Sequence, residues 1–256
     1  MTEQQARPLA LVTGAGRERG IAFAVALKLA GTGWDVAFSH WSGYDARMPW
    51  GVDRDAPALL GAGLAERGAR TLAVEADLAD PDAPARLFDT VERELGQVTA
   101  LVMLHCESVD SGLLDTAPES FDRHFDVNAR SSWLLLREYA RRFTAPPEAA
   151  AGRVIAFTSD HTAGNLPYGA SKGALDRIVL AAAEELAGRG ITANVINPGP
   201  VDTGWMSPEL VAELVAATPL GRLGTPADCA NLVGFLCSPE GGWINRQLLH
   251  SNGGLA

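Results

Sequence analysis

Short runs of consecutive apolar residues alternate along this chain with longer stretches whose apolar positions recur at helical spacing. The apolar runs Leu9–Thr13, Asp35–Ser39, Thr71–Glu75, Ala100–Leu104, Arg153–Thr158, Thr192–Ile196 and Gln247–His250 predict strands. Between them, Ile21–Ala30, Ala56–Arg67, Pro84–Leu95, Ser120–Phe143, Ser171–Ala187 and Pro226–Leu236 predict helices. Strands that are apolar nearly throughout are buried on both faces, and the intervening helices are the crossovers that cover them. The pattern predicts one doubly wound α/β domain over residues 1–256, with a mainly parallel, seven-stranded sheet. Its ligand crevice is expected at the carboxyl ends of the strands.

One connection is irregular. Trp41–Asp55 carries Trp41, Tyr44, Met48, Pro49 and Trp50, aromatics that either line a pocket or pack the loop down. Thr144–Gly152 reads as a surface connection rather than a domain boundary.

The first strand runs into Thr13-Gly14-Ala15-Gly16-Arg17-Glu18-Arg19-Gly20-Ile21. Glycines there let the backbone approach a pyrophosphate, whose charge is met by the N-terminus of the following helix. The second strand ends Ser39-His40-Trp41, without the carboxylate that accepts hydrogen bonds from an adenosine ribose in NAD-selective sites. Ser39 and His40 as donors, with Arg17 and Arg19 as cations, suit a 2′-phosphate instead. NADP is therefore the expected cofactor and NAD the alternative. Either arginine has a solvated surface position as its bland alternative.

Tyr168-Gly169-Ala170-Ser171-Lys172 puts a phenol and an ammonium on one helical face, one turn apart. Lowering a tyrosine pKa from ~10 towards 7 corresponds to roughly 4 kcal/mol of differential stabilisation, and such a phenol exchanges protons near neutral pH. Such a pair is frequent by chance. Here Phe157-Thr158-Ser159 precedes it, Asn197-Pro198-Gly199-Pro200-Val201-Asp202-Thr203 follows it, and Asn128 lies upstream in a helical stretch.

In order and spacing, from about Ala10 to Gly254, these motifs resemble the short-chain dehydrogenase/reductase family, and among its branches the 3-oxoacyl-acyl-carrier-protein reductase-like one. The resemblance implies a Rossmann-type fold, with a cofactor half to about residue 150 and a catalytic and substrate half over 151–256. It implies interconversion of a carbonyl and a secondary alcohol, NADPH-driven ketone reduction above all. Tyr168 is then the proton donor or acceptor, Ser159 a hydrogen-bond partner of the substrate oxygen, Lys172 the group that lowers the Tyr168 pKa, and Asn128 a holder of a relay water. Gly14, Gly20, Ile21, Asp77, Leu78, Cys106, Pro198, Gly199, Val201 and Thr203 fall at the cofactor-binding positions, with Tyr168 and Lys172 shared.

The sequence also departs from the family. Gly14 and Gly20 stand further apart than in T-G-x-x-x-G-x-G, and Ala22 replaces its last glycine. Ser159 and Tyr168 are closer together than usual, so Asp160–Pro167 is a short wall to the substrate site. Met103-Leu104-His105-Cys106 replaces the N-N-A-G stretch, leaving His105 and Cys106 near the crevice. His161 is a candidate substrate contact, and Trp205 and Met206 a candidate lid. A cofactor-binding, catalytically weak sensor or subunit on the same fold is the alternative reading.

Composition narrows the partners. A net charge of −10 argues against nucleic acid or an anionic membrane as the partner. Cys106, Cys229 and Cys237 are odd in number and lack ligand spacing, so neither a disulfide framework nor a metal is expected. With a polar Met1–Pro8 and no apolar run of membrane length, the expected location is the cytoplasm. A homotetramer, with a dimer as fallback, follows from the resemblance and the long helices Ser120–Phe143 and Ser171–Ala187.

Overall fold

The computed structural model describes residues 7–146, 149 and 151–255. The stretches Met1–Pro8 and Thr144–Gly152 lie partly outside the described residues. The strands are β1 (Leu9–Thr13), β2 (Asp35–His40), β3 (Thr71–Glu75), β4 (Val98–Met103), β5 (Gly152–Phe157), β6 (Ile191–Asn197) and β7 (Leu248–His250). They form one sheet in the order β3-β2-β1-β4-β5-β6-β7, and every neighbouring pair is parallel. The order reverses between β1 and β4, which puts a switch-point crevice above these two strands.

The helices are α1 (Ile21–Gly31), α2 (Ser42–Asp45), α3 (Ala56–Glu66), α4 (Ala83–Leu95), α5 (Pro118–His124), α6 (Ser131–Arg142), α7 (Leu166–Glu185), α8 (Pro208–Ala217) and α9 (Pro226–Cys237). One apolar layer joins α1, α3 and α9 to the sheet through residues such as Val25, Leu29, Leu60, Leu64 and Val233. The opposite layer uses Leu87, Phe88 and Val91 of α4, Leu135 and Tyr139 of α6, and Leu175 and Val179 of α7. Among the described residues no helix is long and apolar enough to cross a membrane.

Three differences from the sequence reading bear on the site. The continuous helix predicted over Ser120–Phe143 is instead α5, a π-helical stretch at Phe125–Arg130, and α6. Polar side chains buried in the turn explain it. Ser131 and Ser132 donate back to the Val127 and Asn128 carbonyls at 2.5 and 2.8 Å, an arrangement that a regular apolar helix face does not require. Secondly, α7 begins at Leu166 rather than Ser171, because Pro167 suits a first helical turn, and Tyr168 is thereby already helical. Thirdly, α8 was not foreseen; Ser207 caps it by accepting from the Leu210 N–H at 3.2 Å, with Pro208 next.

The start of β2 is anchored by a buried carboxylate. Asp35 accepts from the Arg70 main-chain N–H at 2.9 Å and from its Nε at 2.7 Å, while Arg7 Nε lies 3.5 Å away. The pair fixes where β2 meets β3. Asp35→Ala leaves that N–H and the Arg70 Nε without their acceptor. We expect a loss of about 3 kcal/mol in folding stability, read as a lower urea midpoint with the slope unchanged.

Candidate active site

The crevice begins where β1 ends. Gly14 adopts φ +83°, and a side chain there would meet the main chain of His105 at 2.7 Å. Only glycine satisfies both conditions. The turn closes with the Gly20 N–H on the Arg17 carbonyl at 3.0 Å, and Gly20 caps α1, whose free N–H groups face the cleft. Glycine at this turn and the helix terminus together form a cradle that fits a dinucleotide pyrophosphate.

Thr13, His105 and Ser131 lock the switch point together. Thr13 Oγ1 accepts from the Leu104 N–H at 3.1 Å and lies 2.7 Å from His105 Nδ1, while His105 Nε2 is 2.8 Å from Ser131 Oγ. Because the Ser131 hydroxyl donates to the Val127 carbonyl, it is free to accept from Nε2–H, leaving Nδ1 to accept from Thr13. A neutral imidazole is required. Burial, then the charge of Lys172, push the His105 pKa down to about 3. His105 is thus a structural joint, and among the described residues no group of histidine, cysteine and acidic side chains has the arrangement of a metal site.

At the catalytic end, Lys172 is buried and donates from Nζ to the Phe157 carbonyl at 2.8 Å, with the Tyr168 ring centre 5.7 Å from Nζ. Burial raises the Tyr168 phenol above its ordinary value and Cys106 adds to this, while a hydrogen bond with Ser159 acts the other way. The depression expected from Lys172 is not found: the phenol shifts upward, with desolvation the largest cause. Lys172 itself is lowered, again by burial. Ser159 and Tyr168 are brought together despite the short connection, because Gly169 lets residues 160–163 lie directly on α7; a side chain at Gly169 would run into the His161 carbonyl oxygen.

Asn128 is buried and saturated. Its Oδ1 accepts from the Glu107 N–H at 2.8 Å, and its Nδ2 donates to the Glu107 carbonyl at 2.9 Å and to Ser171 Oγ at 2.8 Å. Ser171 in turn donates to the Tyr168 carbonyl at 2.8 Å. Both amide donors are committed to protein, so a relay water would have to use oxygen acceptors.

The cleft brings together Gly14, Arg17, Gly20, Ile21, Ser39, His40, Asp77, Leu78, Cys106, Tyr168, Lys172, Pro198 and Thr203. Five expected cofactor or catalytic positions do not line it directly: Gly199 (φ +59°) packs on Asn252, Val201 is buried and bridges to Gly224, Asn128 is buried behind the cleft, and Ser159 and Arg19 lie outside its lining. Arg19 also turns away, pairing with Asp202 at 3.2 Å. Arg17 donates to the Thr203 carbonyl at 2.9 Å and stacks on Trp50 at 4.8 Å, so it does not reach across to Ser39 and His40 as a free cation. His40 is lowered by burial, against the opposing pull of Glu75. The His161 ring is exposed and bonds the Ala163 carbonyl at 3.0 Å, in its own loop rather than in the cleft.

Sequence reasoning missed Glu107 and Arg123, and it left the aromatic connection undecided. Trp41 and Tyr44 line the cleft, whereas Trp50 packs, donating to Asp45 at 2.7 Å. The density of aromatics after β2 was the available signal.

A glycine-cradled helix terminus and a tyrosine–lysine–serine cluster, facing one another over the switch point, define a nicotinamide-dependent oxidoreductase. The model of the family described as enoyl-(acyl carrier protein) reductase matches residues 14–256. The chain is 36% identical to the uncharacterized oxidoreductase YjdA of Bacillus subtilis (strain 168), over 96% of each. It is 33% identical to the NADPH-dependent aldehyde reductase-like protein, chloroplastic, of Arabidopsis thaliana, over 96% of this chain and 93% of that one. A blue fluorescent protein from a metagenomic library, solved in complex with NADPH, superposes with a TM-score of 0.86 at 31% identity, covering 97% of this chain and 98% of that one. The chain belongs to the short-chain dehydrogenase/reductase family.

The His105 joint has a pH signature. Its folded pKa lies below the value of 6.5 for a free histidine, so its contribution to stability is complete above 6.5 and is lost as pH falls towards about 3. The expected slope is about 1.4 kcal/mol per pH unit within that window. Urea unfolding at pH 7 and pH 5 should show wild type losing about 2 kcal/mol more than His105→Gln, which has no proton to take.

Proposed function

We propose that this protein reduces a ketone or aldehyde to an alcohol with NADPH, reversibly, using Tyr168 as the proton donor. The observation that carries the reading is that Tyr168 and Lys172 line the cleft beside the glycine cradle, with Ser159 hydrogen-bonded to Tyr168. A bound nicotinamide dinucleotide supplies the hydride. Gly14, Gly20 and the N-terminus of α1 would hold its pyrophosphate, and Asp77 and Leu78 its adenine end. Ser159 and Tyr168 then donate hydrogen bonds to the substrate oxygen, and the phenol proton moves onto that oxygen as its negative charge grows. A phenol held above its ordinary pKa is fully protonated at neutral pH, which suits the reducing direction. Lys172 adds positive charge behind the tyrosine and would donate to the ribose of a bound dinucleotide.

NADPH is preferred over NADH in this reading because β2 ends without a carboxylate and because relatives and a structural neighbour are named with NADPH. Arg17, on the glycine turn, is one of the cations that line the cleft, with Arg123 and Lys172. The assembly we propose is a homotetramer, or failing that a dimer, with Phe121 and Trp133 supplying exposed apolar surface on the 118–142 stretch.

Two measurements test this. Tyr168→Phe should cut carbonyl reduction by at least about a hundredfold, the scale of one general acid, with NADPH affinity retained. Activity within a few fold of wild type would remove Tyr168 from the mechanism. Titration of reduced-nicotinamide fluorescence should give tighter binding of NADPH than of NADH. The reverse order would overturn the cofactor preference alone, and binding of neither would overturn the enzyme reading.

A further inference from the structure

The connection from β2 to α3 is fastened to two of the segments that build the cleft, the glycine turn and the stretch after β4. At its start, Tyr44 donates to the Ser108 carbonyl at 3.0 Å, beyond the end of β4. Arg47 Nη2 lies 2.9 Å from both carboxylate oxygens of Glu107, a side chain only 3% exposed. Further along, Trp50 stacks under Arg17 of the glycine turn, and Asp53 accepts from the Glu18 N–H at 3.0 Å. Trp41, Tyr44 and Asp45 on this segment, and Glu107 opposite, line the same cleft as the glycine cradle.

Resting on the cofactor reading above, we propose that residues 41–55 form a strap across the dinucleotide cleft, latched by Arg47–Glu107 and Tyr44–Ser108, and that unlatching governs cofactor entry and exit. The two sides of the latch are built differently. Glu107 is rigid: Asn128 holds its main-chain N–H and carbonyl, and Arg123 Nε sits 3.3 Å from its second oxygen. The strap side is lighter, with Arg47 nearly half exposed and Gly51 in the left-handed region at φ +68°.

Arg123 is what makes the latch reversible. Stripping a buried carboxylate of its only cation is strongly unfavourable. Here Glu107 keeps one guanidinium when the strap lifts, so opening breaks one charge-assisted contact without leaving a buried charge alone. Tyr44 lines the cleft together with Cys106 and Tyr168, so the strap reaches the catalytic part of the cleft as well as the glycine turn.

The test is a displacement experiment. Protein loaded with NADPH is mixed with excess NADP+ in a stopped-flow instrument, and the decay of nicotinamide fluorescence gives the dissociation rate. Arg47→Ala should raise this rate about tenfold, the scale of one charge-assisted hydrogen bond, and Arg47→Lys should raise it less. An unchanged or slower rate in Arg47→Ala overturns the proposal. Hydrogen–deuterium exchange on wild type gives an independent reading should the variant fold poorly: NADPH should protect residues 41–55, and no protection there overturns the proposal as well. If wild type takes up no dinucleotide at all, the cofactor reading fails, which is a different outcome from binding with a strap that does not respond.

Discussion

The amide of Asn128 fixes the distance between the two walls of the cleft. Two of its bonds hold the main chain of Glu107, beyond β4, and one holds Ser171, whose hydroxyl reaches back to the carbonyl of Tyr168. A side chain can do this only from inside the fold, and the π-helical turn at 125–130 brings Asn128 inward at that point. Everything above it depends on this bracket. The latch carboxylate hangs from the residue Asn128 holds on one side, and the tyrosine follows from the residue it holds on the other.

Burial sets the electrostatics of the rest. Tyr168, Lys172, Cys106 and His105 each shift towards the uncharged form, and desolvation is the largest cause for all of them. The phenol and the lysine are neighbours without being hydrogen-bonded to one another, since Lys172 Nζ is turned to the Phe157 carbonyl. The site therefore keeps its proton on the tyrosine and its dielectric low, conditions under which any charge developing on a substrate oxygen would be felt strongly by the nearby donors. The buried carboxylate of Glu107 lies between two guanidiniums, those of Arg47 and Arg123.

The strands, the glycine turn and the tyrosine–lysine spacing were legible because each is a local pattern with one dominant physical cause. Apolar runs make buried strands, and residues four apart share a helix face. What was not legible depends on partners distant in sequence. Arg17 and Arg19 read equally as phosphate ligands, but Thr203, Trp50 and Asp202 claim them, and none of these is a neighbour in the chain. His105 was taken as a new group near the crevice, yet Thr13 and Ser131 turn it into a joint. The π-helical turn was hidden because it lies inside a continuous helical pattern, and the tertiary partners that Asn128 and Ser131 meet there, Glu107, Ser171 and His105, are distant in sequence.

The two ends of the cleft are held with unequal firmness. Towards the glycine turn, the 41–55 segment is tied down by charge, aromatic stacking and main-chain bonds. Towards the substrate side, residues 160–164 are exposed, and α8 buries none of its residues although Leu210, Val211, Leu214 and Val215 give it an apolar stripe. A helix with such a stripe and no buried residue has little packing to hold it, and segments of that kind open at low free energy. The same fold thus combines a dinucleotide end closed by a few discrete, reversible contacts with a substrate end whose cover has little packing to hold it. On the proposed reading, discrimination between cofactors belongs to the latched end, while selection among carbonyl compounds falls to α8 and the exposed Trp205 that precedes it.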